Sequence, residues 1–269
     1  MNIQQYKQVL KSGMDEIVSY QNRDKLLINT GYEMFDMLVP GSIVTLCGAS
    51  FTGKTILLNR FKENIMSASY NANASRFVWL SNSLEMTTLM NTLRDLSFKL
   101  DKPKKEILLT HFEEHELLVV EQYLKECGDV RFYINEDPPT PSEFETCVGD
   151  FLMQHADKEL VGIDYDHTTI TKGSDKKRVL DELYEIQNHF KKKFKNSLFV
   201  DVSQFNRNSI LRIAEKDELM KPNRSDLLQS DGLYQYSDFI VATSIPYRLG
   251  IENYRLVSPS FYEYLGDHF

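Results

Sequence analysis

One eight-residue run constrains the fold of this chain more than any other feature of its 269 residues. Residues 48–55 read GASFTGKT and fit the pattern G-x-x-x-x-G-K-S/T, whose glycines let the backbone turn tightly. The run follows an apolar segment that is predicted to be a strand and opens a segment that is predicted to be a helix. That order places backbone N–H groups and a helix amino terminus around a phosphate. The sequence therefore predicts a phosphate-binding loop.

The chemistry of this loop indicates a role for each part of it. Backbone N–H groups would surround the phosphates, and Lys54 would reach the terminal phosphates as a point charge. Thr55 offers a hydroxyl ligand to magnesium. The alternative is a turn rich in small residues, which the flanking strand and helix disfavour. We therefore predict ATP and Mg²⁺ as ligands. The predicted nucleotide-binding residues are Gly48, Ala49, Ser50, Phe51, Thr52, Gly53, Lys54, Thr55 and Ile56.

Strands and helices alternate along the rest of the chain. Apolar strands are predicted over 42–49, 76–82, 131–137, 159–166, 197–205 and 237–245. Helices are predicted over 1–24, 55–69, 86–100, 105–127, 142–156 and 177–194. A capping box of Ser142 and Glu145 is predicted to begin the helix over 142–156. Such alternation is typical of an α/β fold with a mostly parallel, twisted sheet and helices on both faces, in which ligands bind at the carboxyl ends of the strands.

Polar side chains stand at three of these strand ends. Asp164 follows an apolar strand, where a carboxylate would hold magnesium. Many strands end in Asp, and it is the presence of the phosphate loop that favours a functional role for this one. Glu85 could orient and deprotonate an attacking water, or could simply favour a helix amino terminus. Gln204 could hydrogen-bond a γ-phosphate, and a solvated strand end explains it equally well.

Two loops carry basic residues that a nucleic-acid backbone would attract. A solvated surface loop remains an equal alternative, because Glu215, Asp217 and Glu218 interrupt the second loop. The formal net charge of −8 argues against a surface that coats nucleic acid unselectively, but not against basic loops that line a channel. The candidate DNA-contacting residues are Lys172, Lys176, Lys177, Arg207, Arg212 and Arg224.

Cysteine usage and hydropathy predict the compartment. Cys47, Cys127 and Cys147 are far apart and form no C-x-x-C pair, so neither a zinc site nor a disulfide framework is indicated. Cys47 is expected to pack as a small apolar side chain within its strand. No apolar run approaches the roughly 18 residues of a membrane span, and the amino terminus has no apolar signal core. We therefore expect a cytoplasmic protein without a membrane partner.

With these motifs in order, the chain resembles the ATPase domain of DnaB-like replicative helicases, which are RecA-fold hexamers. TGYEMFDML at 30–38 is similar to the family's T-G-F-x-x-L-D, and SLEM at 83–86 to its F-S-L-E-M. GIDYD at 162–166 is similar to V-I-D-Y-L-Q, and SQFNR at 203–207 to S-Q-L-N-R. The resemblance implies a helical lead segment over 1–29 and a RecA-like P-loop NTPase domain over 30–269.

The resemblance also implies roles for individual residues. Lys54 and Thr55 would bind the nucleotide phosphates and magnesium, with Asp164 as the second carboxylate of the metal site. Glu85 would be the general base, and Gln204 would sense the γ-phosphate. The two basic loops would face single-stranded DNA in the channel of a hexameric ring. The implied function is that of an ATP-hydrolysing DNA helicase motor in DNA replication, with a primase or a helicase loader as partner.

The sequence departs from the family pattern in two respects. The family's N-terminal collar domain is not expected, since the resemblance begins near Thr30. The late basic motif K-x-R-x-G, which supplies an arginine finger to a neighbouring subunit, is not found, and Arg248 and Arg255 are candidate substitutes. A nucleotide-binding accessory or regulatory subunit with little hydrolysis therefore remains an alternative. A RecA-like or KaiC-like ATPase that does not unwind DNA is another.

Overall fold

The structure is a computed structural model that describes most of the chain. The described residues are 6–22, 26–35, 37–49, 52–82, 88–127, 131–135, 140–166, 176–205 and 231–243. The strands are β1 (Ser42–Gly48), β2 (Phe77–Asn82), β3 (Phe132–Asn135), β4 (Leu160–Asp166), β5 (Ser197–Gln204) and β6 (Phe239–Thr243). The helices are α1 (Tyr6–Gln21), α2 (Lys54–Met66), α3 (Thr88–Lys99), α4 (Lys104–Leu109), α5 (Glu114–Cys127), α6 (Pro141–Gln154), α7 (Lys176–Lys193) and α8 (Asp231–Tyr236).

The six strands form one sheet in the order β3-β2-β4-β5-β1-β6, and every pair of neighbours is parallel. β1 and β2 are buried at every residue, as expected for strands covered on both faces. Because all strands run in the same direction, their carboxyl ends lie along one edge of the sheet. The predicted α/β fold is confirmed, and the described sheet is wholly rather than mostly parallel.

Helices cover both faces of the sheet. On one face, Leu58, Phe61 and Ile65 of α2 pack against Val44 of β1 and Val200 of β5. Leu198 extends the same apolar cluster, and Phe35 meets the ring of Phe61 edge-on at 5.0 Å between centroids.

On the other face, α6 and α7 pack against β1, β4 and β5. Phe144 and Leu183 of these helices join Ile43, Ile163 and Phe199 in a second apolar cluster. The two clusters sandwich the sheet, which keeps its middle rigid and leaves its carboxyl edge open to loops.

Three details differ from the sequence prediction. The predicted helix over 105–127 divides into α4 and α5, and α8 was not predicted. The capping box of α6 is formed by Thr140 and Glu143 rather than by Ser142 and Glu145. The earlier start has a physical reason, because Pro141 lacks an N–H and has a fixed φ that suits the first helical position.

The edge strand β6 is fixed to β1 at its beginning. Asp238 accepts hydrogen bonds from the Ile43 backbone N–H at 2.8 Å and from Lys191 Nζ at 2.9 Å. One residue earlier, Ser237 shares a hydroxyl contact of 2.7 Å with Thr45. These contacts set the register that brings Thr243, the last residue of β6, opposite Gly48, the last residue of β1.

The cysteine of β1 behaves as predicted. Cys47 is 1% exposed and its thiol donates to the Val241 backbone oxygen at 3.4 Å. Burial raises the pKa of this thiol to about 12, so it stays protonated and unreactive at neutral pH. Among the described helices, none is both long enough and apolar enough to cross a membrane.

We predict that Gly162→Ala destabilises the fold, because the indole of Trp79 lies directly over Gly162. A Cβ there would come within 2.1 Å of Trp79 Cε3, so the ring must shift. The free energy of unfolding, measured by urea denaturation, should fall by about 1–3 kcal/mol. The control is Gly13→Ala in α1, where a Cβ meets no heavy atom within 4 Å. A Gly162→Ala protein as stable as the wild type would contradict this packing.

Candidate active site

The amino end of α2 meets the carboxyl end of β1 at the predicted phosphate loop. Gly53, the residue that caps α2, has φ 83° and ψ 10°, a left-handed conformation that suits glycine. Its backbone oxygen accepts the Leu57 N–H at 2.9 Å and closes the first helical turn. A glycine cap has no side chain to offer the first N–H groups of the helix, so these groups and the positive end of the helix dipole favour an anion at this point.

Lys54, the first residue of α2, is folded against the loop. Its side chain is buried, with the residue 6% exposed, and Nζ donates to the backbone oxygens of Ala49 at 2.7 Å and Gly48 at 3.2 Å. Phosphate oxygens would compete with these carbonyls for the ammonium group. The Gly48 oxygen also accepts the Phe205 N–H at 3.1 Å, which ties the end of β5 to the loop.

The remaining loop residues differ in their exposure. Thr52 is buried and its hydroxyl donates to the Ala49 backbone oxygen at 2.9 Å. Thr55 is half-buried, as a hydroxyl that reaches a bound ion would be. Ile56 is 61% exposed. Ser50 and Phe51 were predicted to belong to the site and lie outside the described residues.

Asp164 lies inside β4 and not after it, since Tyr165 and Asp166 complete the strand. The residue is 4% exposed. Its Oδ2 atom accepts hydrogen bonds from Trp79 Nε1 at 2.7 Å and Ser81 Oγ at 2.6 Å. Two donors on β2 thus hold this carboxylate in one orientation, on the face of the sheet that α2 covers.

Burial sets the electrostatics of this carboxylate. Desolvation raises the pKa of Asp164 above its ordinary value, and the Lys62 ammonium and the two hydrogen bonds from Ser81 and Trp79 oppose part of that rise. Lys62, two turns along α2 from Thr55, also donates to Ser81 Oγ at 3.1 Å. A negative charge at Asp164 is therefore costly unless a cation offsets it.

The strand register fixes the level of each side chain along the sheet. Gln204, at the end of β5, lies opposite Gly48, whereas Asp164 lies opposite Val200. Val200 is four residues before Gln204, about 13 Å at ~3.3 Å per residue. The structure therefore brings Gln204 to the loop and holds Asp164 deeper in the sheet. Asp166, two residues on, alternates to the same face and lies nearer the level of the loop.

A row of amides links three strand ends beside Asp164. Asn82, the last residue of β2, is 1% exposed and donates to the Asp164 backbone oxygen at 2.9 Å. Asn135, the last residue of β3, donates to Asn82 Oδ1 at 3.2 Å. The row fixes the end of β2, from which the chain continues to Glu85. Glu85 itself lies outside the described residues.

The predicted DNA-contacting residues fall mostly where the structure gives no description. Lys176 begins α7, with its side chain outside the described part of the chain, and Lys177 is exposed on that helix. Those outside the described residues altogether are Lys172, Arg207, Arg212 and Arg224.

Sequence reasoning missed the side chains that surround the loop and Asp164. Trp79 and Ser81 alternate along β2 onto one face, a signal that the sequence contains. That this face adjoins Asp164 depends on β2 pairing with β4, which the sequence does not reveal. Lys62 and Thr243 likewise become part of the site only through packing.

Comparison with known proteins agrees with this geometry. The sequence model of the family described as DnaB-like helicase C terminal domain matches residues 28–251. No curated protein sequence matches the chain. A solved structure described as the ATPase domain of G40P is similar with a TM-score of 0.69 and 15% identity, over 91% of this chain and 86% of that one.

A second solved structure is described as a DnaB-like replicative helicase and its interactions with primase. It is similar with a TM-score of 0.68 and 15% identity, over 92% of this chain and 58% of that one. This chain thus spans little more than half of the second protein's length. At these identities, the two likenesses establish a shared fold.

We predict that Asp164→Asn stabilises the fold at neutral pH. The pKa of Asp164 is raised in the folded state, so the unfolded chain releases this proton at a lower pH than the folded protein does. The free energy of unfolding of the wild type therefore falls as pH rises from the pKa of the unfolded chain through that of the folded protein. Asparagine accepts the same two hydrogen bonds without a charge. The melting temperature of Asp164→Asn at pH 7 should exceed that of the wild type by about 2 °C or more. This difference should disappear below pH ~4.

The control for this prediction is Asp166→Asn, at a half-buried position on the same strand and face. It should show no comparable rise in melting temperature. A lower melting temperature for Asp164→Asn than for the wild type would mean that a charge is needed for folding at this position.

Proposed function

The chain belongs to the DnaB-like helicase C-terminal domain family, and on that premise we propose that it is an ATP-hydrolysing helicase motor domain. It would act on single-stranded DNA in DNA replication, as a subunit of a hexameric ring. Residues 30–269 would form the ATPase domain, with 1–29 as a helical lead segment. The observation that carries the proposal is the left-handed Gly53 cap, which opens the amino end of α2 at the carboxyl edge of a parallel sheet.

The loop is suited to bind the phosphates of ATP. The first N–H groups of α2 would contact phosphate oxygens, since the glycine cap leaves them available. Lys54 would exchange its contacts with the Gly48 and Ala49 carbonyls for the terminal phosphates. Its burial excludes water and strengthens that charge interaction. The triphosphate charge also suits the helix dipole.

We infer that a magnesium ion, which prefers oxygen ligands, would be held by Thr55 at the loop and by Asp164, which lies deeper in the sheet. Thr55 would offer its hydroxyl, and Asp164 would offer the carboxylate that Trp79 and Ser81 hold in place. Magnesium, when bound, would neutralise charge on the β- and γ-phosphate oxygens. The cost of burying the Asp164 charge supports this assignment, because Lys62 and the two hydrogen bonds oppose only part of that cost and a second cation would offset more of it.

Two further residues would serve hydrolysis. Glu85 would orient the attacking water and accept its proton. Gln204 would hydrogen-bond the γ-phosphate. In support of the second role, Gln204 lies opposite Gly48, and the next residue, Phe205, donates its N–H to the Gly48 oxygen. A change in the loop on loss of the γ-phosphate would therefore alter the contacts of β5 and of the residues that follow it.

The proposed motor would act on DNA through its basic loops. Lys172, with Lys176 and Lys177 at the start of α7, and three arginines of the second basic segment would contact the sugar–phosphate backbone. Those arginines are Arg207, Arg212 and Arg224. A primase is a proposed partner because one structurally similar helicase is described with its interactions with primase; a helicase loader is another.

A second function is favoured by one sequence observation. Residues 244–269, which follow β6, contain no K-x-R-x-G run, and such arginine fingers contribute roughly 10³-fold or more to the rate in related systems. Arg248, Arg255 or a partner's arginine would have to replace it. Without a replacement, the chain would be a nucleotide-binding accessory subunit with slow hydrolysis, or a RecA-like or KaiC-like ATPase that does not unwind DNA.

We predict that two substitutions separate ATP binding from hydrolysis. Lys54→Ala should abolish ATP binding and hydrolysis, because it removes the loop's charge. Glu85→Gln should keep ATP affinity and lower kcat by about 10²-fold or more, because the amide cannot accept the proton. The measurements are isothermal titration with Mg²⁺–ATP and steady-state hydrolysis with and without single-stranded DNA.

The matched controls are Lys125→Ala and Glu121→Gln, two exposed positions on α5 that should behave as the wild type. Hydrolysis that DNA stimulates and Glu85→Gln abolishes is the result expected of a motor. ATP binding without hydrolysis would select the accessory function. Normal turnover by Glu85→Gln would remove Glu85 as the base.

A further inference from the structure

A pair of hydroxyls joins the phosphate loop to the edge strand β6. Thr52 Oγ1 and Thr243 Oγ1 lie 2.9 Å apart. Each also has a backbone acceptor, since Thr52 donates to the Ala49 oxygen at 2.9 Å and Thr243 to the Cys47 oxygen at 3.3 Å. The contacts thus run from β1 through β6 into the loop.

The two threonines enclose Gly48 on one side. A Cβ on Gly48 would meet the Thr243 backbone oxygen at 2.5 Å, Thr243 Oγ1 at 2.6 Å and Thr52 Oγ1 at 2.6 Å. Only glycine fits there without displacement of these atoms. The hydroxyl pair is therefore a packed part of the site and not a surface contact.

Proton counting shows what the pair can do. Two hydroxyl protons serve three oxygen–oxygen contacts, so one contact is without a proton at any moment. Three arrangements are possible: Thr243 donates to Thr52 and Thr52 to the Ala49 oxygen, Thr52 donates to Thr243 and Thr243 to the Cys47 oxygen, or each threonine donates to its own backbone oxygen. The Ala49 oxygen receives a proton from Thr52 in the first and third arrangements, and only in the first does Thr243 also fix the Thr52 hydroxyl by donating to it.

The direction of donation decides whether the Ala49 oxygen has a hydrogen-bond donor other than Lys54. This oxygen accepts from Lys54 Nζ at 2.7 Å, and it would lose that donor if Lys54 turned toward a phosphate. A half-buried carbonyl that is left without a donor is costly. Donation from Thr52, with Thr243 as the donor behind it, would compensate for the departure of Lys54.

We propose that Thr243 is a positioning residue for the phosphate loop, which acts through Thr52 to hold the Ala49 carbonyl when Lys54 binds the phosphates of a nucleotide. The proposal rests on the proposed nucleotide-binding function of the loop. It gives β6, which carries none of the loop's own residues, a direct part in ATP affinity.

The test compares Thr243→Val, Thr52→Val and the double variant with the wild type. Each valine removes the hydroxyl and nearly keeps the shape. ATP affinity, from titration with Mg²⁺–ATP, should weaken about 3- to 10-fold in each single variant. The double variant should lose no more ATP affinity than the single variant with the larger loss, because both changes interrupt the same chain of hydrogen bonds. Hydrogen exchange of the peptide 48–56, measured without nucleotide, should quicken in all three variants.

Two control variants separate positioning from general stability. Thr243→Ser keeps the hydroxyl and should keep wild-type affinity and exchange. Thr45→Val removes another buried hydroxyl of β1, on the opposite face of the sheet, where it contacts Tyr184 at 3.0 Å and Ser237 at 2.7 Å. It should lower the melting temperature and leave ATP affinity unchanged.

Each other outcome has a definite meaning. Wild-type affinity and exchange in Thr243→Val would overturn the proposal, and so would additive losses in the double variant. An equal loss of affinity in Thr45→Val would also overturn it, because the effect would then be one of stability. If the wild type binds no ATP while exchange quickens only in the Thr52 and Thr243 valine variants, the hydroxyl pair orders the loop but the proposed nucleotide-binding function fails.

Discussion

The parallel pairing of β1 between β5 and β6 is the constraint on which the site depends. Parallel strands bury both faces, so α2 covers one side of β1 and α7 the other. The carboxyl end of the strand continues directly into the phosphate loop. In the register that results, Gly48 has Gln204 on one side and Thr243 on the other. The phosphate loop is therefore built between two strands, and each of them makes a hydrogen-bonded contact with it.

A second physical tension lies deeper in the sheet. Asp164 is a buried carboxylate whose burial disfavours its charge, yet two donors on β2 are oriented toward it. Gly162 contributes to this arrangement, since the absence of a side chain lets Trp79 lie close enough to donate from its indole. The fold thus holds a carboxyl group at a fixed point where a negative charge is disfavoured.

Membership of the DnaB-like helicase C-terminal domain family accounts for the fold and for the order of the motifs. Family membership does not account for the side-chain contacts around the site that are described for this chain. The hydroxyl pair of Thr52 and Thr243 and the amide row of Asn82 and Asn135 follow from residues at strand ends and loops. This chain is 15% identical to the two similar solved structures, so these contacts follow from its own residues and not from the shared fold.

The sequence by itself determined the α/β class, the parallel sheet and the loop at 48–55. Those features depend on local periodicity and on glycines at fixed spacing, which a linear pattern contains. It misplaced the cap of α6, because Thr140 and Ser142 both begin an S/T-x-x-E run and only the fit of Pro141 at the first helical position distinguishes them.

Only the tertiary structure decided which strands are neighbours. That choice placed Trp79 and Ser81 beside Asp164, Gln204 beside Gly48, and Thr243 beside Thr52. The physical reason is that strand order and register are fixed by the packing of helices on both faces. No local pattern records that packing, so the sequence places Gln204 and Asp164 at strand ends without showing which residues of the other strands lie beside them.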